Sequence, residues 1–115
     1  HPTDTRGQFI LNWLLDRFND NIENFYKIED DRFTFETIKI RIDIIEGHQE
    51  YNIVFRVHSG ADEDYIAYQY SEPTPTEYDR GEPTRGSVRY LFVLLSHYFR
   101  AKEYSTDKLQ ELLNA

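Results

Sequence analysis

The sequence predicts an α+β domain with the order α-β-β-β-α-α: an antiparallel meander of three strands, or slightly more, with helices packed on one face. Three observations carry this. Ile38, Ile40, Ile42 and Ile44 alternate strictly with Thr37, Lys39, Arg41 and Asp43, and after Gly47-His48-Gln49 the alternation resumes with Tyr51, Ile53, Phe55 and Val57. Period two with β-branched residues is the mark of a half-buried antiparallel pair. Before this pair, Leu11, Leu15, Phe18, Ile22 and Phe25 recur at helical spacing, and after it so do Val88, Leu91, Phe92, Leu95 and Phe99.

Taken in order, Thr5 and Gln8 fit a capping box, and the first helix is expected from about Arg6 to Tyr26, weakest near Asn19-Asp20-Asn21. Glu29-Asp30-Asp31 reads as a turn. Phe33 and Phe35 then begin a strand on odd positions while the isoleucines occupy even ones, so the side-chain phase flips near Glu36-Thr37, and a β-bulge is the favoured explanation. All four isoleucines, with Ile53 and Phe55, are expected to face the helices. A third strand runs from Tyr65 to Ser71, with Ile66, Tyr68 and Tyr70 on one face. Residues 72–86 hold Pro73, Pro75 and Pro83, which argue against regular ladder pairing, so this stretch reads as a loop. The second helix runs from about Ser87 to Lys102 and is apolar nearly all round. A short last helix is capped by Ser105 or Thr106, with Leu109, Leu112 and Leu113 as its inner face.

The 115 residues form one domain, 1–115, long enough for a core without staples. The longest apolar run, Tyr90 to Leu95, is far below the roughly 18 residues of a membrane span, so no membrane partner is expected. The absence of cysteine removes disulfides and thiolate metal sites and suits a reducing compartment, hence a cytoplasmic expectation. The chain begins at His1-Pro2 without Met, which leaves targeting signals outside the reading and is compatible with a piece of a longer protein. A net charge of −8 opposes non-specific affinity for nucleic acid or anionic membranes and permits a basic partner.

Five constellations are candidates for chemistry. Lys39, Arg41, Arg56 and His58 fall on the polar side of the strands beside Asp43, Asn52, Tyr65 and Gln69, where they could hold a carboxylate, phosphate or nucleotide. The plainer reading is solvated sheet positions with cross-strand pairs such as Asp43 with Arg56. The stretch before the second helix places Arg80, Arg85, Gly86 and Arg89 near free N–H groups, without the spacing of a phosphate-binding loop. His58, Asp62 and Asp64 could ligate a cation, but a solvated acidic turn explains them as well. Ser96-His97 cannot form a nucleophile–base pair, because adjacent helical residues point about 100° apart. Finally, Tyr65, Tyr68, Tyr70, Tyr78 and Tyr90 fall within one stretch interleaved with Pro, Glu and Arg. Of these, Tyr65 and Tyr78 read as exposed contact residues.

No motif reaches catalytic specificity. The sequence therefore reads as a non-enzymatic, acidic interaction or regulatory module, without cofactor or metal. Its partner is a protein, with a homodimer the simplest case, bound through the third-strand edge and the Pro/Tyr-rich loop by Tyr65, Tyr78, Arg80 and Arg85. The alternative is recognition of nucleic acid or a nucleotide by Lys39, Arg41, Arg56 and His58 on the open sheet face. An enzyme of unfamiliar type stands third.

Overall fold

The computed structural model describes residues 5–60, 63–75, 81 and 83–115. Helix α1 (Arg6–Asp20) leads through a 3-10 turn (Ile22–Asn24) into five strands: β1 (Phe25–Glu29), β2 (Arg32–Glu36), β3 (Ile40–Glu46), β4 (Glu50–Val57) and β5 (Tyr65–Pro73). Helices α2 (Val88–Lys102) and α3 (Thr106–Leu113) follow. The strands form one antiparallel meander in the order β1-β2-β3-β4-β5, two strands more than the three expected.

The first extra strand comes from the end of the expected first helix. That helix stops at Asp20, where the Asn21 N–H closes onto the Arg17 carbonyl at 2.7 Å. Asn and Asp compete with the helix for their own backbone, so Asn19-Asp20-Asn21 ends it. Phe25 keeps its place in the apolar stripe by another route: from β1 it meets Phe18 and Phe35, with ring centroids 6.2 and 5.0 Å apart. The second extra strand resolves the phase flip, which is a hairpin turn and not a bulge. The Thr37 N–H bonds to the Ile40 carbonyl at 2.9 Å, while its hydroxyl accepts from the N–H groups of Lys39 and Ile40. Phe35 then lies opposite Ile42 and Phe33 opposite Ile44, so odd positions of β2 and even positions of β3 share one face. Ile38 sits on this turn and is 91% exposed, contrary to the expectation that it faces the helices. Lys39 is likewise on the turn and not on a strand.

Three smaller expectations are also corrected. The Thr5 side chain makes no capping bond, and Gln8 Nε2 donates instead to Asn12 Oδ1 (3.1 Å) and to the Gly86 carbonyl (3.2 Å). A bulge at Ala67 puts Ile66 opposite Arg56 while Tyr68 stays opposite Phe55, so Ile66 points away from Tyr68 and Tyr70, and Tyr65, expected on the polar side, joins their face opposite Val57. Pro73 pairs with Glu50 and ends β5, a tolerated position for proline at the sheet edge.

Phe25, Phe33, Phe35, Ile42, Ile44, Tyr51 and Ile53 share the face that α1 and α2 cover with Leu11, Leu14, Val88, Leu91, Phe92 and Leu95. Ser87 caps α2, its hydroxyl accepting from the Tyr90 N–H at 3.0 Å. Both helices run from the β5 side of the sheet toward β1. The Gly7 end of α1 touches Tyr70, and Phe18 near its other end meets Phe25. Glu72 accepts from the Arg89 N–H at the start of α2, and Glu103 after its end pairs with Lys27. Helix α3 departs from expectation. Its leucines are not buried against the described residues: Leu109 is 47%, Leu112 55% and Leu113 83% exposed.

Candidate interaction surface

On the polar face of the sheet, Arg41, Arg56 and His58 are each engaged by carboxylates. Arg41 and Arg56 lie directly opposite one another on β3 and β4, an unfavourable juxtaposition by itself. Asp43, 1% exposed, resolves it: Arg41 Nε donates to Oδ1 at 3.1 Å and Arg56 to Oδ2. His58, at the end of β4, stands between two carboxylates. Nδ1 donates to Asp64 at 2.9 Å and Nε2 to Glu36 at 3.2 Å. The hydrogen bond to Asp64 is the largest cause that raises His58 above the ordinary histidine value, and Glu36 adds to it. In its protonated form the imidazole donates from both nitrogens and has no lone pair for a metal, and Glu36 and Asp64 meet different ring nitrogens. Among the described residues, no group of three or more His, Asp or Glu side chains is placed to hold a metal ion. Asp62 lies outside the described residues.

The two basic clusters of the sequence reading are thus separate. Arg41, Arg56 and His58 share the polar face with three carboxylates, while Lys39 is on the neighbouring turn, exposed. Arg85, also exposed, lies with Gln8, Gly86 and Tyr90 along the cleft between α1 and the start of α2. Tyr65 stands at the other end of β5, eight residues from Pro73, a separation of roughly 26 Å along an extended strand. Arg85 lies beside Pro73, so Tyr65 and Arg85 stand near opposite ends of β5. Tyr78 and Arg80 lie outside the described residues. His97 is exposed on α2, beside Ser96 as the sequence has it.

The feature that sequence reasoning missed is on the helix side. Helix α2 flanks α1 along Gln8, Asn12, Leu15 and Asn19. On the other flank of α1, nothing among the described residues covers the sheet. There Phe9, Ile10 and Trp13 of α1 face Ile40, Ile42 and Phe55 of β3 and β4 across a groove of about 210 Å³. The register continues this strip outward from Ile40 to Val57 and then Tyr65 at the β5 edge. Phe9 is 72% and Tyr65 56% exposed. Arg17, stacked over Trp13 at 5.3 Å, and Lys39 on the turn beside Ile40 place cations along its margin. On the α1 side of this groove the sequence offers one signal, Phe9, which widens the apolar stripe of α1 beyond what one sheet contact needs.

No helix among the described residues is long and apolar enough to cross a membrane. Comparison of the chain with protein-family models, with curated proteins and with solved structures gives no match.

Proposed function

We propose that this protein is an interaction module that binds a protein partner through the apolar strip running from Phe9 and Trp13 across Ile40 and Phe55 to Tyr65. The observation that carries this reading is the uncovered groove with large side chains exposed along it. A contiguous apolar surface of this kind marks a contact site more often than it marks neglect, because water-facing Phe and Tyr gain free energy once a partner covers them. Tyr65 retains the role read from the sequence. It supplies rigid aromatic area at the end of an edge strand whose backbone can also pair with a partner strand. Arg41, Arg56 and His58 on the polar sheet face are engaged by Asp43, Glu36 and Asp64, which favours the apolar strip over an anion-binding reading.

The test compares proteins retained from an extract of the source cells by wild type and by a Phe9→Ser/Tyr65→Ser double variant, quantified by mass spectrometry. Both side chains are largely exposed, so the variant should melt within a few degrees of wild type. Loss of specifically retained proteins with the variant supports the reading. Equal retention by both removes this surface as the interface.

A further inference from the structure

We propose that the occupant of the groove is helix α3 of a second copy of this chain, so that two copies exchange their C-terminal helices reciprocally. This rests on the reading of the strip as a contact surface and names its partner.

Two apolar surfaces, one concave and one convex, are left open among the described residues. The groove is walled by α1 on one side and floored by β3 and β4. Helix α3 presents Leu109, Leu112 and Leu113 at spacings of three and one, a single face. An eight-residue helix is about 12 Å long, and the floor from β3 to β5 is about 10 Å across, so the two match in length. Two helical turns are also too short to persist in water without packing against something.

The helix does not reach the groove of its own chain. It leaves α2 by a link of three residues that is wound, not extended: the N–H groups of Glu103 and Tyr104 bond back to the carbonyls of Arg100 and Ala101. Glu103 is further held by Lys27 at 3.0 Å, on the β1 side of the sheet. Ser105 then caps α3 directly, accepting from the Lys108 N–H at 3.2 Å. Helix α1 stands between this point and the groove, since α2 lies along one flank of α1 and the groove along the other.

Charge and area agree with a second copy. Asp107 and Glu111 give α3 an acidic side, and the margin of the groove carries Arg17 and Lys39. Phe9, Tyr65, Leu109, Leu112 and Leu113 together expose on the order of 700 Å² per chain, so a two-fold exchange removes at most about 1,400 Å² from water, within the range of specific interfaces. Because each copy gives one helix and receives one, the contact closes at two copies and does not propagate.

Sedimentation equilibrium of the full chain tests this. Wild type should pass from 13.8 kDa toward twice that mass between about 1 and 100 µM, the range expected of a standard-size interface without large hot spots. Phe9→Glu, which damages the groove, and Leu112→Glu, which damages the helix, should each weaken dimerisation by about tenfold or more. Both positions are exposed, so circular dichroism melts should match wild type. The decisive step mixes the two variants. One intact helix then meets one intact groove, and a heterodimer should form where neither variant alone associates. Wild type that stays monomeric to 100 µM overturns the exchange, as does a dimer that survives Leu112→Glu. Two inactive variants that fail to complement overturn it as well. If wild type is monomeric and the Phe9→Ser/Tyr65→Ser variant still loses captured proteins, the exchange is wrong and the interaction surface stands with another partner.

Discussion

Asp43 shows how one residue can reverse the meaning of its neighbours. By alternation it belongs to the wet face, yet it is enclosed, and two arginines that would repel one another are held together by it. Both guanidinium groups remain about a third exposed and can rehydrate, so Asp43→Ala should cost about 1–3 kcal/mol in chemical denaturation, less than a fully buried ion pair would. Arg56→Ala should cost a comparable amount by leaving the enclosed carboxylate with Arg41 alone. His58 makes a pH-dependent prediction. Its value is raised in the folded protein, so its contribution is fully present below the unfolded value of about 6.5 and is lost as pH rises through the folded one. The melting temperature of wild type should therefore exceed that of His58→Gln at pH 6, and the gap should narrow as pH rises above 7. Gly7 is a third case. A Cβ there would lie 2.3 Å from the Tyr70 ring, so Gly7→Ala should destabilise by about 1–3 kcal/mol despite the better helix propensity of alanine.

Among the elements, those with one buried face and one wet face were legible in the chain. Strands β3 and β4 alternate because α1 and α2 cover only one side of them, and α2 shows its stripe for the same reason. Ile42→Ala, in the centre of that face and 0% exposed, should cost about 2–5 kcal/mol, whereas Lys39→Ala on the turn should stay within about 0.5 kcal/mol. Equal denaturation midpoints for the two variants would contradict the packing described. Strand β2 reads as the start of one strand with β3, and β1 was hidden for a different reason. In β1 only Phe25 is buried, and its spacing from Phe18 and Ile22 suits a helix as well as a strand. Ile38 and Ile66 misled the pattern because a tight turn and a one-residue bulge each rotate a side chain without changing the sequence period. Of the interaction surface, Tyr65 could be read from its place at a strand end. The groove could not, because it exists only through the placement of α1 relative to β3 and β4.

At the scale of the molecule, the radius of gyration is 16.3 Å, above the roughly 13 Å of a compact chain of this length, in keeping with a terminal helix that stands clear of the body. With a net charge of −8 on each copy, the proposed association would work against long-range repulsion. Raising salt from about 20 to 300 mM should therefore strengthen the dimer, since screening removes the repulsion and leaves apolar burial intact. A dissociation constant that rises with salt would assign the attraction to ion pairs instead.

The meander also fixes an order of assembly. Every strand pairs with its neighbour in sequence, so the sheet can zip through short loops, which are quick to close. The helix layer has no such advantage: Gln8 must meet Gly86 and Phe18 must meet Tyr98 before it is complete. During synthesis α1 and all five strands leave the exit tunnel while α2 is still inside it, and the rings of Phe33 and Tyr51, which α2 will cover with Phe92 and Phe99, stay wet until it emerges. A nascent chain stalled with β5 outside the tunnel and α2 within it should therefore bind chaperones that recognise exposed aromatic residues, and one stalled after the whole of α2 has left the tunnel should release them.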